Sequence, residues 1–316
     1  MIDHMIGRRR FLQGLAAGAS ALGLGVRPSL ADEMTGKPAA GKIGDFKISL
    51  AEWSLHKTLF KGELTNLDFP VVAREKFGID AVEFVNQFFK DKARDSAYLR
   101  ELKKRATDHG VTCVLIMIDG EGDLSAAAAS DRDQAIANHK AWVDAAVELG
   151  CHSIRINTGS NYGPNRLETI ADGCARLTEY GVSQKINIIV ENHGGPSSDP
   201  DALIGLMTKV GSPHFGTLPD FGNFPLNRRG VYTIDVYDAI ARMMPFAKGV
   251  SAKSHDFDAS GREAHLDYSR ILKIVTDHGY HGYVGVEYEG SKLSEVDGII
   301  ATKRLLESVR GATYPG

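Results

Sequence analysis

Short runs of apolar residues recur along the chain, separated by stretches in which apolar residues return every third or fourth position. The runs read as strands buried on both faces and the intervening stretches as amphipathic helices. The predicted strands are Lys47–Leu55, Asp80–Asn86, Val111–Ile118, Cys151–Asn157, Ile186–Gly195, Phe215–Asp220, Ala247–His255 and Tyr283–Glu289. The predicted helices are Asp68–Phe77, Ser96–His109, a stretch capped by Ser130 running through Glu148, Asn165–Tyr180, Pro200–Val210, Tyr237–Met244, Tyr268–His278 and a final one to Val309. The stretch after Ser130 turns Ile136, Val143 and Val147 inward. Gly78, Gly110, Gly150, Gly211 and Gly279 follow helices, as C-terminal stops do. Ser294 and Asp297 have capping-box spacing ahead of the last helix. Eight strands alternating with eight helices predict a (β/α)8 TIM barrel. An open doubly wound sheet would want a GxGxxG turn after an early strand, and the sequence has none.

The run Ile186–Val190 ends abruptly in Glu191, Asn192 and His193, followed by two glycines. Side chains alternate along a strand, so Glu191 and His193 share a side and Asn192 takes the other. In a barrel the C-terminal strand ends converge on one face, where such enzymes keep their chemistry. The ends gathered there are Trp53 and His56, Glu83 and Asn86, Asp119, Asn157, Glu191 and His193, Asp220 and Asn223, Lys253 and His255, and Glu287 and Glu289. Asp119–Ala129 reads as a flexible loop and a candidate lid.

The N-terminus changes the picture of compartment. Arg8-Arg9-Arg10 followed by Phe11-Leu12, an apolar Leu15–Val26 and the small-x-small Ser29-Leu30-Ala31 predict a twin-arginine signal peptide over residues 1–31. Residues 32–44 read as a linker and 45–316 as the single barrel domain. Export to the periplasm is the expectation, with no membrane anchor once the signal is removed. Taking Arg8, Arg9, Arg10, Arg27 and Asp3 from 37 basic and 40 acidic side chains leaves 33 and 39, a net of −6. An acidic chain lacks the footprint of a phosphate-backbone binder, so no nucleic-acid partner is expected. Cys113, Cys151 and Cys174 are odd in number and form no CxxC pair; they read as buried thiols.

Several carboxylates at one rim repel unless neutralised, and a divalent cation is the simplest remedy. Three carboxylates and an imidazole from strands five to eight suit manganese first, with magnesium, cobalt or zinc as alternatives. No thiolate joins them, which argues against a structural zinc site.

VENHGG (190–195), LPDFGN (218–223), VSAKSHDF (250–257) and GYVGVEYEG (282–290) make the chain resemble the xylose isomerase-like barrels, the sugar phosphate isomerase/epimerase group, over roughly 47–310. The resemblance implies one divalent metal held by Glu191, Asp220, a histidine of strand seven and Glu287, with Glu289 as the competitor of Glu287. At strand seven the pattern departs. If Lys253 is the lysine that follows the family histidine, Ser251 stands in the histidine's place, and His255, on the same side but further out, is taken as a shifted ligand, with another group or water in the fourth position as the alternative.

The resemblance further implies a sugar isomerase or epimerase that removes a proton next to a carbonyl through an enediolate. Glu191 and Glu287 would exchange that proton, His193 would donate to a substrate oxygen or support Glu191, and Lys253 would hold a hydroxyl or oxyanion or pair with an acid. Trp53 offers an apolar face to a sugar, and Glu83 an acceptor. No phosphate cradle follows strands seven and eight, so a free sugar, keto-sugar or glycoside is the expected small-molecule substrate. The alternative is a lyase or hydratase on 3-keto-glycosides. A nuclease of the endonuclease IV type and a non-catalytic sugar-binding barrel are the rival classes.

Overall fold

The computed structural model describes residues 38–159 and 166–316, so the predicted signal peptide lies outside the described residues. Eight parallel strands form one sheet: β1 (Lys47–Ala51), β2 (Ala81–Val85), β3 (Thr112–Met117), β4 (Ser153–Ile156), β5 (Asn187–Glu191), β6 (Phe215–Leu218), β7 (Val250–Ser254) and β8 (Tyr283–Tyr288). Their ladder runs β6-β5-β4-β3-β2-β1-β8-β7. The two ends of that ladder meet through isolated parallel bridges, Thr217 with Ala247 and Asp220 with Ser251, which close the barrel. Besides a short helix at His56–Phe60, the barrel helices are α1 (Phe69–Phe77), α2 (Ser96–Asp108), α3 (Ala129–Leu149), α4 (Leu167–Gln184), α5 (Pro200–Val210), α6 (Val236–Met243), α7 (Tyr268–Asp277) and α8 (Glu295–Val309). The (β/α)8 barrel is therefore present as the pattern predicts.

Two apolar layers follow from strands buried on both faces. Ala51, Ala81, Val85, Val114, Leu115, Met117, Ile189 and Leu218 form a small cluster of their own, and the larger core joins the sheet to the helices. Cys113, Cys151 and Cys174 are free and buried.

Four local expectations change. β1 stops at Ala51, because Glu52 turns back to accept from the Val85 N–H (2.8 Å) and Asn66 Nδ2 (2.8 Å); Glu52–Leu55 is a 3-10 turn that carries Trp53. α3 starts at Ala129 with no side-chain cap, so Ser130 is inside it, and Val147 is 43% exposed. The loop taken for a lid is anchored: Leu124 and Ser125 are fully buried, and the Asn86 amide grips the Asp119 backbone at both N–H and C=O, 2.9 Å each. Gly41–Lys42, assigned above to the linker, pairs with Thr313–Tyr314, and Ile43 is in the core. Among the described residues no helix is long and apolar enough to cross a membrane.

Candidate active site

Pro219 lacks the N–H needed to continue β6, so the chain leaves the ladder there and Asp220 stands just beyond the strand end. The Asn192 side chain fixes it, accepting from the Asp220 N–H (2.7 Å) and donating to its C=O (3.0 Å). Asp220 Oδ1 accepts from the Gly222 and Asn223 N–H groups, both at 2.8 Å, which leaves Oδ2 facing the barrel. Glu191 ends β5, and Asn223 Nδ2 donates to its Oε1 at 3.0 Å. Glu287 sits on β8 directly opposite Lys253 on β7. Carboxylate oxygens of Glu191, Asp220 and Glu287 lie within 4.8 Å of one another, and all three residues are buried.

Two buried cations reach this group. Lys253 Nζ is 3.3 Å from Glu287 Oε1, 3.3 Å from Glu289 Oε2 and 4.0 Å from Asp220 Oδ2. Arg155 Nε is 2.8 Å from Glu191 Oε2, close in charge but not aligned as a hydrogen bond, while its Nη1 donates to Asp119 at 2.8 Å. Burial works against the Lys253 charge, but Glu287, Asp220 and Glu191 around it hold its pKa well above the ordinary value. Burial raises Asp220 and Glu287, with Lys253 opposing in both and the neighbouring carboxylates adding to the rise. Five carboxylates (Asp119, Glu191, Asp220, Glu287, Glu289) thus face two cations. This excess of hard anionic oxygen, drawn from the ends of four strands, fits a divalent ion, and Glu191, Asp220 and Glu287 are the residues that could hold one.

His255 is outside that group. β7 ends at Ser254, and His255 lines a rim cavity of about 310 Å³ with Tyr232, Asp256, His265 and Glu289. Ser251 instead occupies the place between the acids, its Oγ 2.7 Å from both Asp220 Oδ2 and Glu287 Oε2. His193 is exposed; its N–H donates to Ser197 Oγ, and the side chain borders two cavities. The cavity nearest the acids, about 140 Å³, is lined by Trp53, Gln87, Asp119, Arg155, His193 and Glu287 among others. Trp53 stacks on His56 (centroids 4.9 Å apart) and donates Nε1 to Glu289, so it forms a fixed wall. Glu83 is buried on β2 and bonded to Ser49 Oγ. Asn157 Nδ2 donates to Asp119 at 2.6 Å.

Reading strand tips alone misses Arg155 and gives Asn192 no role. The signal for Arg155 was present: in CHSIRIN it shares a face with Asn157, and a lone cation in an apolar strand needs an acidic partner.

A family model for xylose isomerase-like TIM barrels matches residues 72–309. A C-glycoside deglycosidase alpha subunit from Arthrobacter globiformis is 28% identical over 89 residues, which is 28% of this chain and 23% of that protein's length. Three solved structures share the fold at identities too low to say more than that. One is D-psicose 3-epimerase in the presence of D-fructose, with TM-score 0.65, 14% identity, and 84% of this chain and 100% of that one covered. A second is the probable 3-DHS dehydratase of petrobactin synthesis from Bacillus anthracis, with 0.64, 15%, 83% and 99%. The third is a xylose isomerase-like TIM barrel protein from Mycobacterium smegmatis in complex with magnesium, with 0.60, 14%, 84% and 96%. The match over most of the folded chain, on eight parallel strands whose tips gather the acids, shows that the chain belongs to the xylose isomerase-like TIM barrel family.

Proposed function

We propose that this protein is a divalent-metal-dependent sugar isomerase or epimerase, exported by the twin-arginine route, that works by proton removal next to a carbonyl. One observation carries the reading: Glu191, Asp220 and Glu287 converge from three strands beside a cavity bordered by an aromatic wall and polar side chains. Mn²⁺ is the favoured ion, and when bound it supplies Lewis-acid stabilisation of negative charge on the substrate oxygens.

The chain's own residues do the rest. Trp53 presents an apolar face to the sugar, and Gln87 and His193 offer hydrogen bonds from the cavity wall. One of Glu191 and Glu287 takes the proton from the carbon beside the carbonyl, and the electron pair moves into the enediolate. Lys253 donates to the oxyanion. The other, which enters the step as the carboxylic acid, gives its proton to the carbon on the opposite face for epimerisation or to the neighbouring carbon for isomerisation. Arg155 and Asn223 orient Glu191 throughout. A second reading is a lyase or hydratase on keto-glycosides, in which the same carbanion expels a β-oxygen that His193 protonates. The deglycosidase relative and the dehydratase neighbour favour it.

The test is exchange of sugar C–H with solvent deuterium over a panel of keto-sugars. Exchange should disappear in chelator, return with Mn²⁺, and fall by about 10³-fold or more in Glu191→Gln. Unchanged exchange in that variant refutes the acid–base assignment. Product analysis then distinguishes epimer from elimination product.

A further inference from the structure

We propose that Ser251 is the β7 donor of this site, completing an all-oxygen set with Glu191, Asp220 and Glu287 that favours Mg²⁺ and Mn²⁺ at the expense of Zn²⁺ and Co²⁺. The inference rests on the reading of the three carboxylates as an ion site. Ser251 is 1% exposed, and its backbone is held on both sides: its N–H donates to Pro219 C=O (2.9 Å) and its C=O accepts from the Phe221 N–H (3.1 Å). These bonds belong to the closure of the barrel, so the Ser251 backbone is fixed beside the acids.

The hydroxyl carries one hydrogen but lies 2.7 Å from two carboxylate oxygens, Asp220 Oδ2 and Glu287 Oε2. It can satisfy only one of them. The other contact needs either a proton on the carboxyl or a cation in the proton's place, and Lys253, 4.0 Å from Asp220 Oδ2, is too far to donate to that atom. A cation accepting lone pairs from the hydroxyl and both carboxylates meets that need with the carboxyls ionised. The nearest imidazole on the segment does not compete for the place. His255 is turned to the rim, where the position of a Cβ on Gly222 would be 3.2 Å from its Cε1.

Donor chemistry then sets the preference. Carboxylate and hydroxyl oxygens suit Mg²⁺ and Mn²⁺, whereas imidazole nitrogen favours zinc and the later transition metals. A neutral serine or threonine hydroxyl is a proven Mg²⁺ ligand in nucleotide-binding loops.

The experiment measures binding, not turnover. Chelator-stripped full-length protein, Ser251→Ala and Ser251→His are titrated calorimetrically with Mg²⁺, Mn²⁺, Zn²⁺ and Co²⁺, with melting curves to confirm folding. Ser251→Ala should weaken Mn²⁺ binding by about tenfold or more, and Ser251→His should raise the Zn²⁺-to-Mn²⁺ affinity ratio by a similar factor. Equal or tighter Mn²⁺ binding in Ser251→Ala overturns the proposal, because the hydroxyl would then only bridge the acids. Should the histidine variant fail to fold, the alanine variant decides alone. If the wild type binds none of the four ions at millimolar concentration, the ion-site reading itself falls, and this inference with it.

Discussion

Glu83 offers a clean thermodynamic probe of the barrel interior. It is 1% exposed, its Oε1 accepts from Ser49 Oγ at 2.5 Å, and its Oε2 has no hydrogen-bond partner. Both oxygens crowd the backbone of Gly285, where a Cβ would lie 2.8 Å from each. Burial first, then the charges of Glu287 and Glu191, push its pKa from 4.5 up to about 8, against the pull of Ser49. The folded protein therefore holds a proton that the unfolded chain releases above pH 4.5. Stability falls as pH rises from about 4.5 to about 8, since the native state binds more protons over that window. Each pH unit is worth about 1.4 kcal/mol, so at pH 7 the cost is about 3 kcal/mol. Glu83→Gln keeps the shape and an oxygen for Ser49 without the titration. Urea melts in chelator should place the variant within about 1 kcal/mol of wild type at pH 5, about 3 kcal/mol above it at pH 7, and level off past pH 8. A gap that is constant with pH, or that widens towards acid, refutes the argument.

Arg155→Met should destabilise by about 3–5 kcal/mol in the same melts, because it leaves the buried Glu191 and the half-buried Asp119 without their shared cation; Arg155→Lys should recover part of the loss, lacking the fork that spans both acids. Asn192→Ala removes two bonds to the Asp220 backbone and should cost about 1–3 kcal/mol by urea melts, together with weaker Mn²⁺ binding by calorimetry.

The strands were legible because residues buried on both faces leave an unbroken apolar run, and glycines marked where most helices stop. Gly78, Gly150 and Gly211 indeed close α1, α3 and α5 in the left-handed conformation. Glu191 and Glu287 were legible for the same reason, each being a charge at or near the end of such a run. His255 was not, because alternation holds only within a strand and β7 ends one residue earlier. Trp53 was misplaced on a strand because the turn at Glu52 depends on Asn66 and Val85, residues of other elements. Arg155 was passed over because periodicity assigns a face but not the partner across the barrel. Its acids lie 36 residues to either side.

The closure of the barrel bears directly on the chemistry. Every other pair of neighbouring strands is joined by a ladder, but β6 and β7 meet only through isolated bridges, one of them Asp220 with Ser251. A seam with so few backbone bonds needs side chains to hold it. Asn192 holds Asp220 from the β5 side, and the Ser251 hydroxyl meets Asp220 from the β7 side. The same hydroxyl meets Glu287 on β8, so one small side chain touches acids from both sides of the seam. An apolar residue there would leave two carboxylates facing each other. The residue whose hydroxyl meets both acids is thus also the one at which the sheet closes, which ties the geometry of the acids to the integrity of the barrel.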